Sequence, residues 1–522
     1  MAQRSFGTLA EIYRRNAVHH PHELAVKQGV RELTFAELYA RGCAITSGLG
    51  RIGILPGDRV AVLAVNSIEF FELYAAAELS GVVVVPINYR LTEAEIEAIV
   101  IDVEPKAIVF DTQLSARARR SLNVQSIKIR VSIGPSPDAE FAFADLVEAG
   151  HSDTLVMPRP EDAAHILYTS GTTGASKGCV HTQASSCFSA AAISSGAQMD
   201  CQDRGLLVMP ACHAGGKRFQ MAMHWRAGAI VILSKFDPEQ VLKLISDERV
   251  TTLHLAPTMI HMLIESFDAK RHDVSSVHTI IYGAASMPVP LLQRGLATFG
   301  PVFLQMWGQS EGDALILSKR YHRADDKQAI KRLGSIGHPS PGVDMMVADD
   351  AGKPVPIGTP GEMLLQTPSA MSGYWRRDAE TADVLRDGWL RTGDIVVMDD
   401  DGFVYLVDRK KDLIISGGLN ISSREVEDVL FAHEAISDAA VISLPDEKWG
   451  EIVCAVIVLK PGKDLPDDDL LTHCRESLSG FKVPRRIVSM SELPRLASGK
   501  VDKKVLRRIV NLPAIGSDEA RD

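Results

Sequence analysis

Between Arg59 and Gly308 the chain returns repeatedly to short runs rich in β-branched and aliphatic residues, at 59–65, 81–87, 106–111, 204–209, 229–233, 251–255, 277–282 and 301–306. Runs of this length without alternation predict strands buried on both faces. Helical patterns lie between several of them. Three helices open with a hydroxyl residue followed three positions later by glutamate: Thr8 with Glu11, Thr34 with Glu37, and Thr92 with Glu95. In such a capping box each side chain satisfies the other residue's backbone N–H. Strands alternating with helices predict an α/β fold of layered, largely parallel sheets.

After Gly334 the texture changes. Turn residues crowd Gly337-His338-Pro339, 354–361 and 399–402, which predicts shorter antiparallel strands in a small β-rich subdomain. The charged stretch Asp408-Arg409-Lys410-Lys411-Asp412 then precedes a separate alternation of helices (423–431, 468–478) and strands (439–443, 453–459, 486–490). The expected organisation is a large N-terminal domain over 1–408, a junction at 409–411 and a small α+β domain over 412–522.

Composition narrows the function. A chain of 522 residues, 46% hydrophobic, can bury more than one core. Its formal charge of -10 repels phosphates over most of the surface, which argues against nucleic-acid binding and requires a local cluster of donors for any nucleotide. Seven cysteines with no C-x-x-C pair suit a reducing compartment and predict neither a disulfide framework nor a zinc site. The aliphatic run at 81–86 is too short to span a bilayer, so a cytoplasmic enzyme is expected. Should it self-associate, a homodimer is the default.

The most informative segment is Tyr168-Thr-Ser-Gly-Thr-Thr-Gly-Ala-Ser-Lys-Gly178, directly after the apolar run 163–167. The hydroxyls of Thr169, Ser170, Thr172 and Thr173 can donate to phosphate oxygens, Gly171 and Gly174 let backbone approach closely, and Lys177 adds a point charge. It is not a P-loop, which would need glycine at Ser176 and Ser or Thr at Gly178.

This segment resembles the phosphate loop TSGTTGxPKG of the adenylate-forming superfamily of acyl-CoA synthetases, luciferases and peptide-synthetase adenylation domains, with Ser176 in place of the usual proline. Further motifs follow in the family's order over essentially the whole chain. Gly283-Ala284-Ala285 is similar to the segment beside the adenine and the acyl carboxylate. Trp307-Gly308-Gln309-Ser310-Glu311 resembles YGxTE, which implies that Ser310 touches the α-phosphate and Glu311 holds Mg²⁺. Thr392-Gly393-Asp394 resembles the ribose-binding TGD, with Arg409 as its assisting arginine. Asp408 stands where relatives often carry glycine.

By the same resemblance Lys411 is the hinge about which a mobile C-terminal lid rotates, Gly417 and Gly418 line the thiol channel, and Lys500 in Pro494–Lys500 is the catalytic lysine. His213 in Met209-Pro-Ala-Cys-His-Ala-Gly-Gly216 would gate the carboxylate. The glycines after it would leave room for a bulky acyl group, and Lys217 and Arg218 would reach a polar group on the substrate or point to solvent. The basic residues Lys503, Lys504, Arg507 and Arg508 would draw in phosphates. The implied activity is ATP- and Mg²⁺-dependent ligation of a carboxylic acid to coenzyme A through an acyl-adenylate. The acid expected is aromatic, alicyclic or a medium- to long-chain fatty acid.

Two alternatives remain at this point. One is loading of a separate carrier protein. The other is a serine hydrolase or thioesterase, because Gly308-Gln-Ser-Glu-Gly312 also fits G-x-S-x-G with Ser310 as nucleophile.

Overall fold

The computed structural model describes residues 7–148, 157–169, 176–410, 412–417, 419–496 and 499–511. They form two compact units. One contains the stretches ending at Thr169 and Met345 together with Leu365–Arg391; the other contains Met346–Leu364 and the chain from Thr392 onward.

The first unit is built on two sheets. In the nine-stranded sheet the central strands Leu24–Gln28, Ala229–Ile232, Arg204–Leu207, Thr252–Leu255, Thr279–Tyr282 and Phe303–Gln309 are parallel neighbours, and antiparallel strands finish both edges. In the eight-stranded sheet Ala163–Tyr168, Val83–Pro86, Arg59–Leu63, Ala107–Asp111, Ile129–Ile133 and Phe141–Ala142 run parallel, and Gly178–Thr182 and Gly373–Tyr374 close one edge antiparallel. The β-branched runs are the strands, as their unbroken burial requires. Two capping boxes close in full, Thr34 Oγ1 accepting from Glu37 N at 3.2 Å and Thr92 Oγ1 from Glu95 N at 3.3 Å, and Glu11 accepts from Thr8 N at 3.2 Å.

The helices Ile68–Ser80, Gln183–Ala197 and Ala214–Trp225 are buried on nearly every face, as helices packed between sheets must be. Two carboxylates inside Ile68–Ser80 are therefore paired: Glu72 with Arg41, and Glu78 with Lys217.

Between Leu385 and Arg409 the strands pair antiparallel, as the turn-rich composition predicts, but Trp389–Met398 runs for 10 residues and is not short. Leu385–Arg386 pairs with Trp389–Met398, which then pairs with Val404–Arg409. Asp408 lies in that last strand with extended backbone, so aspartate replaces glycine there without strain. Its carboxylate accepts from Arg409 N at 2.7 Å and Ser423 N at 2.5 Å. Past a bulge between Ile436 and Asp438, the C-terminal sheet alternates. Ala439, Val441, Val453 and Ala455 face helices Ser423–Phe431 and Asp467–Ser477, whereas Ala440, Ile442 and Cys454 face Leu506 and Val510 of helix Lys503–Asn511. No described helix is long and apolar enough to cross a membrane.

Candidate active site

The hydroxyl- and glycine-rich segment connects two antiparallel strands, with Tyr168 opposite Gly178. Thr169 N donates to Lys177 O at 2.9 Å, and Lys177 N donates to Thr169 Oγ1 at 3.3 Å. The base of the loop is therefore a closed two-bond clasp. Beneath it the Tyr168 hydroxyl donates to Asp102 Oδ2 at 2.6 Å while Arg377 holds Oδ1 at 2.5 Å. Burial and the neighbouring carboxylate push the Tyr168 phenol up, so it stays a donor. Ser170, Gly171, Thr172, Thr173 and Gly174 lie outside the described residues, as do Lys411 and Gly418.

Ser310 and Glu311 form the two-residue tip of a β-hairpin, since Phe303–Gln309 pairs with Gly312–Leu317 and Gln309 faces Gly312. A nucleophile elbow requires a strand running into a helix. The strand here returns antiparallel, so the hydrolase reading of Ser310 fails on geometry.

The Tyr374 hydroxyl donates to Glu311 Oε1 at 2.7 Å, and Lys177 Nζ lies 4.9 Å from the centre of the Tyr374 ring. Strand pairing places all three together: Gly373–Tyr374 lies against Cys179 and Val180, and Met371 N donates to Glu311 O at 2.8 Å. Burial, then Glu311, pushes the Tyr374 phenol up. Among the described residues there is no group of three or more His, Cys, Asp or Glu that could hold a metal. A lone carboxylate with one oxygen aimed by a tyrosine nevertheless fits Mg²⁺, which keeps most of its shell as water and phosphate oxygen.

Two residues read as substrate-facing or solvated are neither. Lys217 is fully buried; its ammonium pairs with Glu78, donates to Gln220 Oε1 at 2.6 Å and sits 3.8 Å from the centre of the Tyr74 ring. Arg218 is buried as well, with Nε 3.0 Å from Asp313 Oδ2 and Nη1 donating to Gln309 O at 2.6 Å. A helix lodged between two sheets has no solvent face, and that reverses the expectation.

The same correction applies to the glycines after His213. A Cβ on Gly216 would stand 2.2 Å from Pro210 O, and one on Gly215 would stand 3.0 Å from His254 Cε1. The space left by the missing side chains is taken up by backbone at Gly216 and by the His254 ring at Gly215. His213 caps helix Ala214–Trp225, its Nδ1 accepting from Gly215 N at 3.2 Å.

Gly283 is required for the same steric reason, because a Cβ there would stand 2.4 Å from Met306 O. Ala284 follows at φ +65, a left-handed conformation costly for alanine. The 283–285 segment is thus pressed against the strand that leads into Trp307, itself buried.

In the second unit Asp394 and Arg409 face each other across paired strands, Arg409 Nε lying 2.5 Å from Asp394 Oδ1. The carboxylate is fully buried and the guanidinium partly exposed. Gly417, at φ +58, donates its N–H to Trp449 O at 2.8 Å. Lys500 is exposed, in a tight reversal where Leu496 N donates to Lys500 O at 2.8 Å and Arg495 bridges to Val501. The basic helix beside it is less available than its composition implies. Lys503 pairs with Glu427 at 2.8 Å and Arg507 with Asp412 at 3.3 Å, leaving Lys504 and Arg508 exposed.

Sequence reasoning missed Tyr374, His181 and Asp313. His181 lies in the strand after the phosphate loop and Asp313 two residues past Glu311. Only their spatial convergence on the hairpin distinguishes them.

Lys177, at the base of the hydroxyl-rich segment, and the carboxylate of Glu311 both meet Tyr374, and comparison with known proteins makes the class specific. The AMP-binding enzyme model matches residues 13–375, and the AMP-binding enzyme C-terminal domain model matches 425–500. A feruloyl-CoA synthase from an Amycolatopsis species is 33% identical, covering 95% of this chain and 97% of its own. The medium/long-chain-fatty-acid–CoA ligase FadD8 of Mycobacterium tuberculosis is also 33% identical, covering 94% of this chain and 87% of its own. The solved amide bond synthetase McbA of Marinactinospora thermotolerans superposes with a TM-score of 0.86 at 30% identity, covering 96% of this chain and all of its own. The chain belongs to the AMP-binding enzyme family of adenylate-forming enzymes.

Proposed function

We propose that this chain is an ATP-dependent carboxylic acid–CoA ligase. The acid's carboxylate attacks the α-phosphorus of ATP and expels pyrophosphate, forming an acyl-adenylate. The CoA thiolate then attacks the acyl carbonyl and expels AMP. The observation that carries this reading is the meeting of Lys177, Tyr374 and Glu311 at the base of the hydroxyl-rich loop. A cation and an oriented carboxylate sharing one tyrosine support a phosphate-transfer role for this region.

Each residue has an assigned task. Thr169 and Lys177 hold the loop, with Ser170, Gly171, Thr172, Thr173 and Gly174 donating to phosphate oxygens. Ser310 contacts the α-phosphate, and the other carboxylate oxygen of Glu311 receives Mg²⁺, which when bound offsets charge on the phosphates. Gly283, Ala284, Ala285, Trp307, Gly308 and Gln309 frame the adenine and the acyl carboxylate, with His213 at its gate. Asp394 accepts from the ribose hydroxyls while Arg409 orients it. Lys500 stabilises the transition state of adenylation, and rotation about Lys411 withdraws it so that Gly417 and Gly418 line the thiol path.

The acid is aromatic, alicyclic or a medium- to long-chain aliphatic, a range supported by a feruloyl-CoA synthase and a fatty-acid ligase among the relatives. The test is pyrophosphate and AMP release across such acids, with and without CoA. CoA-dependent turnover lost in Lys500→Ala supports the proposal. In Lys411→Pro, thioester formation should fall while adenylation persists; equal loss of both half-reactions would overturn the two-conformation scheme. Pyrophosphate release without a thioester would move the acceptor to a carrier protein or, as the name of McbA suggests, an amine.

A further inference from the structure

We infer that Arg218 and His181 are positioning residues that hold the carbonyls of Gln309 and Ser310 and thereby aim Ser310 and Glu311 at the phosphates. This inference rests on the function proposed above for that turn.

The turn is gripped from several elements of the first unit. Arg218, from helix Ala214–Trp225, donates Nη1–H to Gln309 O at 2.6 Å and Nη2–H to Ser310 O at 3.5 Å. His181, from the strand after the phosphate loop, has Nε2 2.7 Å from Ser310 O. A carbonyl can only accept, so Nε2 carries the hydrogen. Arg218 is itself fixed, with Nε 3.0 Å from Asp313 Oδ2, the oxygen to which Ser189 Oγ also donates. Asp313 N donates to Ser369 Oγ at 3.2 Å, and Ser369 Oγ donates to Asp313 O at 2.6 Å.

The consequence follows from peptide planarity. Fixing the Gln309 carbonyl fixes the plane that enters Ser310, and fixing the Ser310 carbonyl fixes the plane that enters Glu311. The Cα–Cβ directions of both functional residues are then set through their backbone carbonyls. Tyr374 orients the Glu311 carboxylate from its other end. His181 also ties the turn to the strand that anchors the phosphate loop, so the two phosphate-facing segments share one rigid support.

A buried ion pair serving stability alone makes a different prediction. Replacing both charged partners by apolar residues commonly restores stability, whereas removing one leaves the other charge stranded. The experiment compares Arg218→Met, Asp313→Leu, the double variant, Arg218→Lys and His181→Leu by two readouts: thermal midpoint, and the dissociation constant for Mg·ATP from calorimetry. We expect both single charge deletions to lower the midpoint and the double variant to recover it. The double variant should nevertheless bind Mg·ATP about tenfold or more weakly, because the Gln309 carbonyl still lacks its donor and the Ser310 carbonyl keeps only His181. Arg218→Lys should keep the midpoint and bind with intermediate affinity, and His181→Leu should weaken binding with the smallest change in midpoint.

If the double variant recovers midpoint and affinity together, the pair is structural only and the inference fails. If wild-type protein binds no Mg·ATP, the proposed function fails instead. The two failures are thus distinguishable.

Discussion

Tyr374 donates its hydroxyl hydrogen to Oε1 of Glu311 across 2.7 Å, while Lys177 rests over the face of the same ring. One tyrosine therefore orients the carboxylate and packs against the cation. Tyr374→Phe keeps the ring and removes only the hydrogen bond. A hydrogen bond to a charged group contributes about 1.5–3 kcal/mol. The Mg²⁺ concentration for half-maximal pyrophosphate release should rise about tenfold or more, with little change in thermal midpoint. An unchanged Mg²⁺ requirement would show that Glu311 needs no such orientation.

Asp394 is fully buried and relies on a guanidinium that is itself partly open to solvent. Arg409→Met removes a cationic partner from that buried carboxylate, and the solvent exposure of Arg409 lowers the loss to about 2 kcal/mol of unfolding free energy in urea. Asp394→Asn retains the shape while weakening acceptance from a ribose diol, so the KM for ATP should rise about tenfold. The two variants separate the structural and nucleotide roles of one pair. Equal KM for wild type and Asp394→Asn would remove ribose recognition from Asp394.

The layered sheets were legible because β-branched runs have no alternative to double-sided burial, and the helix starts because Thr34 with Glu37 and Thr92 with Glu95 satisfy each other locally. Candidate site residues were legible wherever they sat in contiguous motifs. What could not be read is what pairing across the fold decides. Lys217 and Glu78 are 139 positions apart, and nothing in a mid-helix Lys-Arg pair marks it as buried. Tyr374 meets Glu311 only because a two-residue strand joins the sheet edge beside the phosphate loop. Gly215 and Gly216 read as space because a missing side chain in sequence does not disclose the Pro210 carbonyl that fills its place.

Gly216→Ala tests that correction. A methyl group 2.2 Å from a backbone oxygen cannot be accommodated by a side-chain rotation, so helix Ala214–Trp225 must shift away from Pro210. The shift moves the His213 cap and Arg218 together. We expect a loss of about 1–3 kcal/mol in stability and a fall in kcat for adenylation that no choice of smaller or larger acid rescues. If the variant instead narrowed the substrate range and kept full activity on small acids, Gly216 would line the acyl pocket after all.

Burial holds four histidines of the first unit, His181, His224, His254 and His322, down to about 4. In the unfolded chain the same groups titrate near 6.5. Above that pH both states are neutral and the histidines contribute nothing to pH dependence. Between about 6.5 and 4 the unfolded chain takes up protons that the folded chain refuses, so stability falls as pH falls, by up to about 2 kcal/mol per histidine at pH 5. Glu72, whose carboxyl burial pushes up, opposes this with a single proton. In the second unit Asp428 is raised to about 6, which binds protons in the folded state and shifts stability the other way. Calorimetry from pH 7.5 to 5 should therefore show the transition of the first unit moving down more steeply than that of the second. His224→Phe should make the first slope shallower whatever it does to the absolute midpoint. Parallel slopes for both units, or an unchanged slope in His224→Phe, would mean that these imidazoles accept protons without unfolding.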